Sequence, residues 1–273
     1  MKILCLGEIC LENYHLADGC EKKFIGGCSF NQWIAMNQFP TRAQLLAPIG
    51  DDSISIKVKK KLKSHEFSEL VTLQSFPGQL PQQEIKIKSA GEKSFEGYRA
   101  GVLNQLKVPD LYPFDIVVSS LYLQSLPLIR KVFRQRRPGY LVIDLLDYQD
   151  FAPDLDLLRE CLRQADCIQL GLHNTKDFEF FRKVRELLWL FKKDAVITFG
   201  ESGVKIFEQG REFEYGLLKP VQAIDTTGAG DCFMGTFLAC KGLGKGRDEA
   251  VKMAQLRASE AVLRIGGAGV PLS

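Results

Sequence analysis

Metal-binding spacing is the first thing this 273-residue sequence lacks. It has three histidines, His15, His65 and His173, and none of its eight cysteines forms a CxxC pair, so the usual pattern of a structural zinc site is missing. The cysteines, Cys5, Cys10, Cys20, Cys28, Cys161, Cys167, Cys232 and Cys240, are scattered, several within apolar runs, and read as reduced core residues rather than a disulfide framework. No apolar run approaches membrane-spanning length, and the opening Met1 to Gly7 is too short an apolar stretch for a secretory leader. A cytoplasmic location is the expectation. Neither sign of charge dominates: 36 basic against 33 acidic residues give a net +3, which provides no field for nucleic acid or a membrane surface and points to a small-molecule partner. The densest basic run, Lys57, Lys59, Lys60, Lys61 and Lys63, reads with Ile54, Val58 and Leu62 as the wet face of an amphipathic helix. Internal repeats, low-complexity segments and linkers are absent. So is a Gly-x-Gly-x-x-Gly after the first apolar run, which argues against a redox dinucleotide fold.

With 45% hydrophobic residues, the chain has the composition and length of one principal α/β domain covering 1–273. Short apolar runs at Ile3 to Leu6, Ile116 to Ser119, Leu141 to Ile143, Cys167 to Leu170 and Ala195 to Phe199 read as buried parallel strands. Stretches of helical period such as Leu155 to Gln164 and Phe178 to Phe191 lie between them. This alternation predicts a mostly parallel central sheet covered by helices on both faces, with chemistry at loops that follow strands. Two segments break the pattern. Glu12 to Phe24 and Gln82 to Arg99 alternate polar and apolar residues and are expected to form lid inserts, about 12–24 and 82–99, as a small β flap beside the site; an edge of the main sheet is the alternative. An exposed apolar face on such a flap suggests a homodimer through the lid.

The most informative stretch is Ala223 to Ala239. After Asp225, Thr226 and Thr227, the turn Gly228-Ala229-Gly230 has little side-chain bulk, Asp231 follows, and an apolar helical period runs on from Cys232. Small residues at a helix start let backbone N–H groups approach an anion, which the helix dipole also favours. Transfer of a phosphoryl group needs such donors together with a carboxylate near the attacking hydroxyl. One turn would supply both, with the amides of Ala229, Gly230 and Asp231 as an anion hole and the Asp231 side chain as base. For Asp231 alone, helix capping is the plain alternative.

At its full length, Asp225 to Phe237 resembles the C-terminal signature of the ribokinase-like, or PfkB, family of carbohydrate and nucleoside kinases. That resemblance implies a three-layer α/β/α fold with a β-sheet lid, ATP as phosphoryl donor, Mg2+, an allowance for a monovalent cation, and Asp231 as catalytic base. Further elements are similar in the family's order. Gly26-Gly27-Cys28-Ser29-Phe30-Asn31 looks like the Gly-Gly-x-x-x-Asn that contacts substrate hydroxyls, and Gly50-Asp51-Asp52 resembles a Gly-Asp-Asp in the first half. Thr198-Phe199-Gly200-Glu201-Ser202-Gly203 is similar to a turn bordering the nucleotide, where Asp225, Thr226, Gly228 and Gly230 are also expected. Asn174-Thr175-Lys176-Asp177 stands where the family has Asn-x-x-Glu in the magnesium and phosphate network, which places Asn174 at the nucleotide and both Asn174 and Asp177 in the outer shell of the metal. Each element has a local alternative: a turn, a strand end, or an Asx cap.

Departures from the pattern concern the substrate. The family's Asp in the first strand-loop is replaced here by Glu12 or Asn13, the glycine usual after Gly-Asp-Asp is missing, Asp177 stands for Glu, and Thr236 takes a position usually held by Ala or Gly. The segment Gly91 to Val102 is similar to that of fructoselysine and fructosamine kinases, and Tyr98 and Arg99 in it would help hold an acidic or amino acid portion. The expected substrate is a small sugar of fructosamine, fructose or ribose type. A nucleoside, or binding without catalysis as a sugar or nucleotide sensor, are the alternatives.

Overall fold

The computed structural model describes residues 1–87, 93–147, 154–173, 176–267 and 269–272. The chain divides into two compact units, Met1–Val108 with Val221–Ser273, and Pro109–Pro220.

The first unit contains three parallel strands in the order β1 (Ile3–Leu6), β4 (Gln44–Ile49) and β5 (Val71–Ser75). Its helices are α1 (Cys28–Asn37), α2 (Ser53–Lys63), α6 (Ala229–Gly242) and α7 (Arg247–Ala261). Helix α6 packs between α1 and α7. The α1 to α6 approach is close because Gly235 lacks a side chain: a Cβ there would lie 2.5 Å from the Gln32 carbonyl oxygen and 2.8 Å from the Ala35 Cβ. The neighbouring Thr236 is fully buried. Helix α2 starts at Asp52, whose Oδ1 accepts the Ser55 N–H at 3.0 Å, and buries Val58 and Leu62 while its lysines stay outside. Gly50-Asp51-Asp52 is a structural corner, since Asp51 Oδ1 accepts the Gly78 N–H at 2.9 Å.

The two alternating segments belong to one five-stranded sheet in this unit, ordered β14 (Val270–Pro271), β3 (Glu21–Gly26), β2 (Cys10–His15), β6 (Gln82–Ile87) and β7 (Lys93–Arg99). Each segment is antiparallel within itself, and β2 joins β6 in parallel, Glu12 opposite Gln83 and Asn13 opposite Glu84. Residues 88–92, including Gly91 of the expected hairpin turn, lie outside the described residues. Strand β14 was not expected; two residues have no readable period.

In the second unit, β8 (Ile116–Ser120), β9 (Tyr140–Asp147), β10 (Cys167–Gly171) and β11 (Asp194–Thr198) run parallel, and β12 (Val204–Glu208) and β13 (Arg211–Tyr215) complete the edge antiparallel. Helices α3 (Leu126–Phe133), α4 (Leu155–Gln164) and α5 (Phe178–Phe191) accompany them. Asp154 starts α4 by accepting the Asp156 and Leu157 amides, and Leu157, Leu158, Cys161 and Leu162 make its buried stripe. Of the cysteines, Cys5, Cys10, Cys161, Cys167 and Cys240 are buried; Cys20 is exposed on the lid, which corrects the reading of all eight as core residues. Among the described residues no helix is long and apolar enough to cross a membrane.

Candidate active site

Helix α6 enters through Gly228, which takes the left-handed conformation (φ 73°) at the N-cap and offers no side-chain cap. Asp231 sits in the first turn, 7% exposed, so it is not the helix cap. Asn31, from the first turn of α1, donates through Nδ2 to Asp231 Oδ2 at 2.9 Å. This fixes the position of one carboxylate oxygen. The 200 residues between these partners put the pairing beyond any local sequence pattern.

Ahead of the turn, Asp225 is buried at 1% and accepts the Thr227 N–H through Oδ1 at 2.8 Å and the Gly266 N–H through Oδ2 at 3.0 Å. Both oxygens of the side chain thus shape the loop. Thr226 is exposed and its carbonyl accepts the Ala229 N–H at 3.3 Å. Of the three amides expected in the anion hole, that of Ala229 is therefore used within the turn. Lys93, which the sequence reading passed over, reaches from β7 to donate to the same Thr226 carbonyl at 3.4 Å. A cation from the second sheet thus stands beside the loop.

The double glycine is explained by two acids. A Cβ on Gly26 would lie 2.1 Å from Glu12 Oε1, and the Gly27 N–H donates to that same oxygen at 3.0 Å. Gly27 has φ 96°, and a Cβ on it would meet Glu8 Cγ at 2.8 Å. Tyr14 donates its hydroxyl to Glu12 Oε2 at 3.1 Å, and Tyr98 donates to Glu8 Oε2 at 2.6 Å. Glu8, 5% exposed, was also missed; its signal in the sequence is an acid directly after the glycine that follows β1.

Strand alternation separates residues that the sequence reading had grouped. Asn13 points away from Glu12 and donates to Glu84 Oε1 at 3.0 Å, while Arg99 points away from Tyr98 and donates to Gln82 Oε1 at 2.8 Å and Glu84 Oε1 at 3.3 Å. Glu12 and Tyr98 stay with the double glycine. Asn13 and Arg99 lie on the opposite face of their strands.

In the second unit, Thr198 ends β11, and Gly200 (φ 56°) and Gly203 (φ 98°) make the turn into β12. A Cβ on Gly203 would lie 2.1 Å from the Tyr215 carbonyl oxygen. Asp177 occupies the N-cap position of α5, 6% exposed, and its Oδ2 accepts the His173 N–H at 2.6 Å. Asn174 lies outside the described residues. Among the described residues no group of three His, Cys, Asp or Glu side chains is arranged to hold a metal ion.

A model of the pfkB family of carbohydrate kinases matches residues 2–272. The chain belongs to the PfkB family. It is accordingly a kinase, a phosphotransferase. This PfkB kinase is 24% identical over 256 residues to the ribokinase of Bacillus subtilis, covering 89% of this chain and 83% of that protein. Over 128 residues it is 40% identical to the cytidine kinase of Thermococcus kodakarensis, an alignment spanning 43% of this chain and less than half, 44%, of the length of that relative. Its fold is that of the adenosine kinase structure from Sinorhizobium meliloti, with a TM-score of 0.82 at 19% identity, covering 99% of this chain and 97% of that one.

The electrostatics of the kinase centre on Glu12. Burial pushes its carboxyl up from 4.5 to about 7, and the negative charges of Asp231 and Asp225 add to the rise, against the opposing hydrogen bonds from Gly27 and Tyr14. The Tyr14 hydroxyl is pushed far above its ordinary range, by burial first and by Glu12 second. Strand β2 thus brings a pH-sensitive acid and a neutral phenol close to the loop that carries Asp225 and Asp231.

Proposed function

We propose that this PfkB kinase transfers the γ-phosphoryl group of ATP to a hydroxyl of a small sugar or sugar derivative, of fructosamine, fructose or ribose type, with Asp231 as general base. The observation that carries the reading is the Asp231 carboxylate in the first turn of α6, held on one oxygen by Asn31 and preceded by the left-handed Gly228. The acceptor hydroxyl gives its proton to the Asp231 carboxylate as its oxygen attacks the terminal phosphorus, and the bond from that phosphorus to the bridging oxygen breaks to release ADP. The N-terminus of α6 at Gly228 to Asp231 favours the charge on the transferring group through its dipole and its first-turn amides.

Magnesium, when bound with ATP, would neutralise phosphate charge. The donor set suits a metal carried mainly by phosphates and water, since Asp177 already accepts the His173 N–H and the described residues offer no acidic cage. Asp177, with Asn174, then belongs to the outer shell.

A nucleoside acceptor is the second reading, favoured by the 40% identity over 128 residues to a cytidine kinase. A nucleoside presents its own ribose hydroxyl, so the same base would serve both substrate classes. ADP release measured across sugars, fructosamines and nucleosides separates the two. Asp231→Asn keeps the shape of the side chain and its acceptor for Asn31 while removing the base; turnover should fall by about 10³-fold or more with ATP affinity retained. Turnover at the wild-type level in that variant would remove Asp231 from the role.

A further inference from the structure

The buried turn Gly266–Gly267 joins three distant parts of the first unit. Gly266 donates its N–H to Asp225 Oδ2 at 3.0 Å, which ties the turn to the loop before α6. Gly266 has φ 88°, and a Cβ on it would come within 2.6 Å of the Phe24 ring on the lid strand β3. Just beyond, β14 joins the lid, Val270 paired with Ile25 and Pro271 with Phe24.

Gly267 differs from its neighbour in one respect that matters. Its φ lies outside the left-handed region, so an L side chain is compatible with its backbone. What excludes a side chain is contact: a Cβ would lie 2.8 Å from Asn31 Nδ2 and 3.3 Å from the Gly228 Cα. From the other side, a Cβ on Gly228 would lie 3.2 Å from the same Nδ2. The Asn31 amide therefore occupies a slot between two glycines, and the atom in the slot is the one that donates to Asp231. Asn31 Oδ1 is buried with no hydrogen-bond partner among the described residues, so the carbonyl end provides no tether of its own. The amide is held by the slot walls and by the Asp231 carboxylate.

We propose that Gly267 is a positioning residue for the transfer reaction: the absence of a side chain there leaves the Asn31 amide room to hold Asp231, and so sets the direction of the base. The inference rests on Asp231 acting as the base. Gly267→Ala adds one methyl group to a backbone that tolerates it and pushes on the far end of a flexible side chain. Asn31 should shift at little cost to folding, while a displacement at the base of a few tenths of an ångström to about 1 Å lowers kcat by about 10- to 100-fold. KM for ATP and the midpoint of urea unfolding should stay near wild type.

The test is a double-mutant cycle of Gly267→Ala and Asn31→Ala read by kcat, alongside the Asn31 side-chain amide resonance in 15N spectra of the whole protein, assigned by its loss in Asn31→Ala. The expected result is a displaced Asn31 resonance in Gly267→Ala and a kcat loss that vanishes when Asn31 is already Ala. An unmoved resonance with wild-type kcat overturns the proposal, as does a loss of equal size in both backgrounds. The resonance needs no substrate: if it moves as expected while Asp231→Asn retains full turnover, the slot stands and the assignment of the base fails.

Discussion

Replacing Glu12 by Gln should stabilise the protein at alkaline pH and leave it unchanged at acid pH. The carboxyl of Glu12 is 5% exposed, and burial, with the charges of Asp231 and Asp225, lifts it from 4.5 to about 7. A group whose folded value lies above its unfolded value binds more protons in the native state between the two, so stability is lost as pH rises from about 4.5 through about 7. The rise from 4.5 to about 7 sets the loss at about 3 kcal/mol above pH 7. Gln keeps an acceptor for the Gly27 N–H, and its amide can donate to the Tyr14 hydroxyl, which is both donor and acceptor. The difference between Glu12→Gln and wild type should therefore be near zero at pH 4.5, grow to pH 7, and stay level above it. Urea unfolding from pH 4.5 to 8.5 measures it, followed by the fluorescence of Trp33, which is fully buried in the same unit, in a Trp189→Phe background that removes the half-exposed second tryptophan. Parallel stability curves for the two proteins would refute both the charge penalty and the placement of Glu12 among buried acids.

Tyr98→Phe removes the hydroxyl that donates to the buried Glu8 at 2.6 Å, and should cost about 1–3 kcal/mol in the same urea experiment; an unchanged midpoint would show that the bond does not hold the lid strand. Gly203→Ala faces both φ 98° and a Cβ 2.1 Å from the Tyr215 carbonyl, whereas Gly200→Ala has φ 56° and open space. Unfolding of the second unit, followed through Trp189, should show a loss of about 3 kcal/mol or more for Gly203→Ala and about 1–2 kcal/mol for Gly200→Ala. Equal losses would mean that the carbonyl contact contributes nothing.

Elements with a strong period were legible in the sequence: α4 and α5 fall on the stretches read as helical, and β1 on its apolar run. Helix α1 was not, because it is buried on nearly every side, polar Asn31, Gln32 and Asn37 included, and a helix with no wet face has no stripe to detect. The second sheet was legible as two alternating segments, but not their parallel joining through β2 and β6, since a pairing across some 70 residues leaves no local mark. Strand alternation carried more than was read from it. Neighbours on a strand face opposite ways, so Glu12 and Asn13, and likewise Tyr98 and Arg99, present their side chains to opposite faces of the sheet. What sequence withholds is which distant groups meet. The Gly-Ala-Gly-Asp turn announces a carboxylate at a helix start, yet the direction of that carboxylate depends on Asn31, and the freedom of Asn31 on two glycines that touch its amide. A glycine retained for contact and one retained for conformation look alike in sequence; only the φ of Gly267 and the atom its missing Cβ would strike tell them apart.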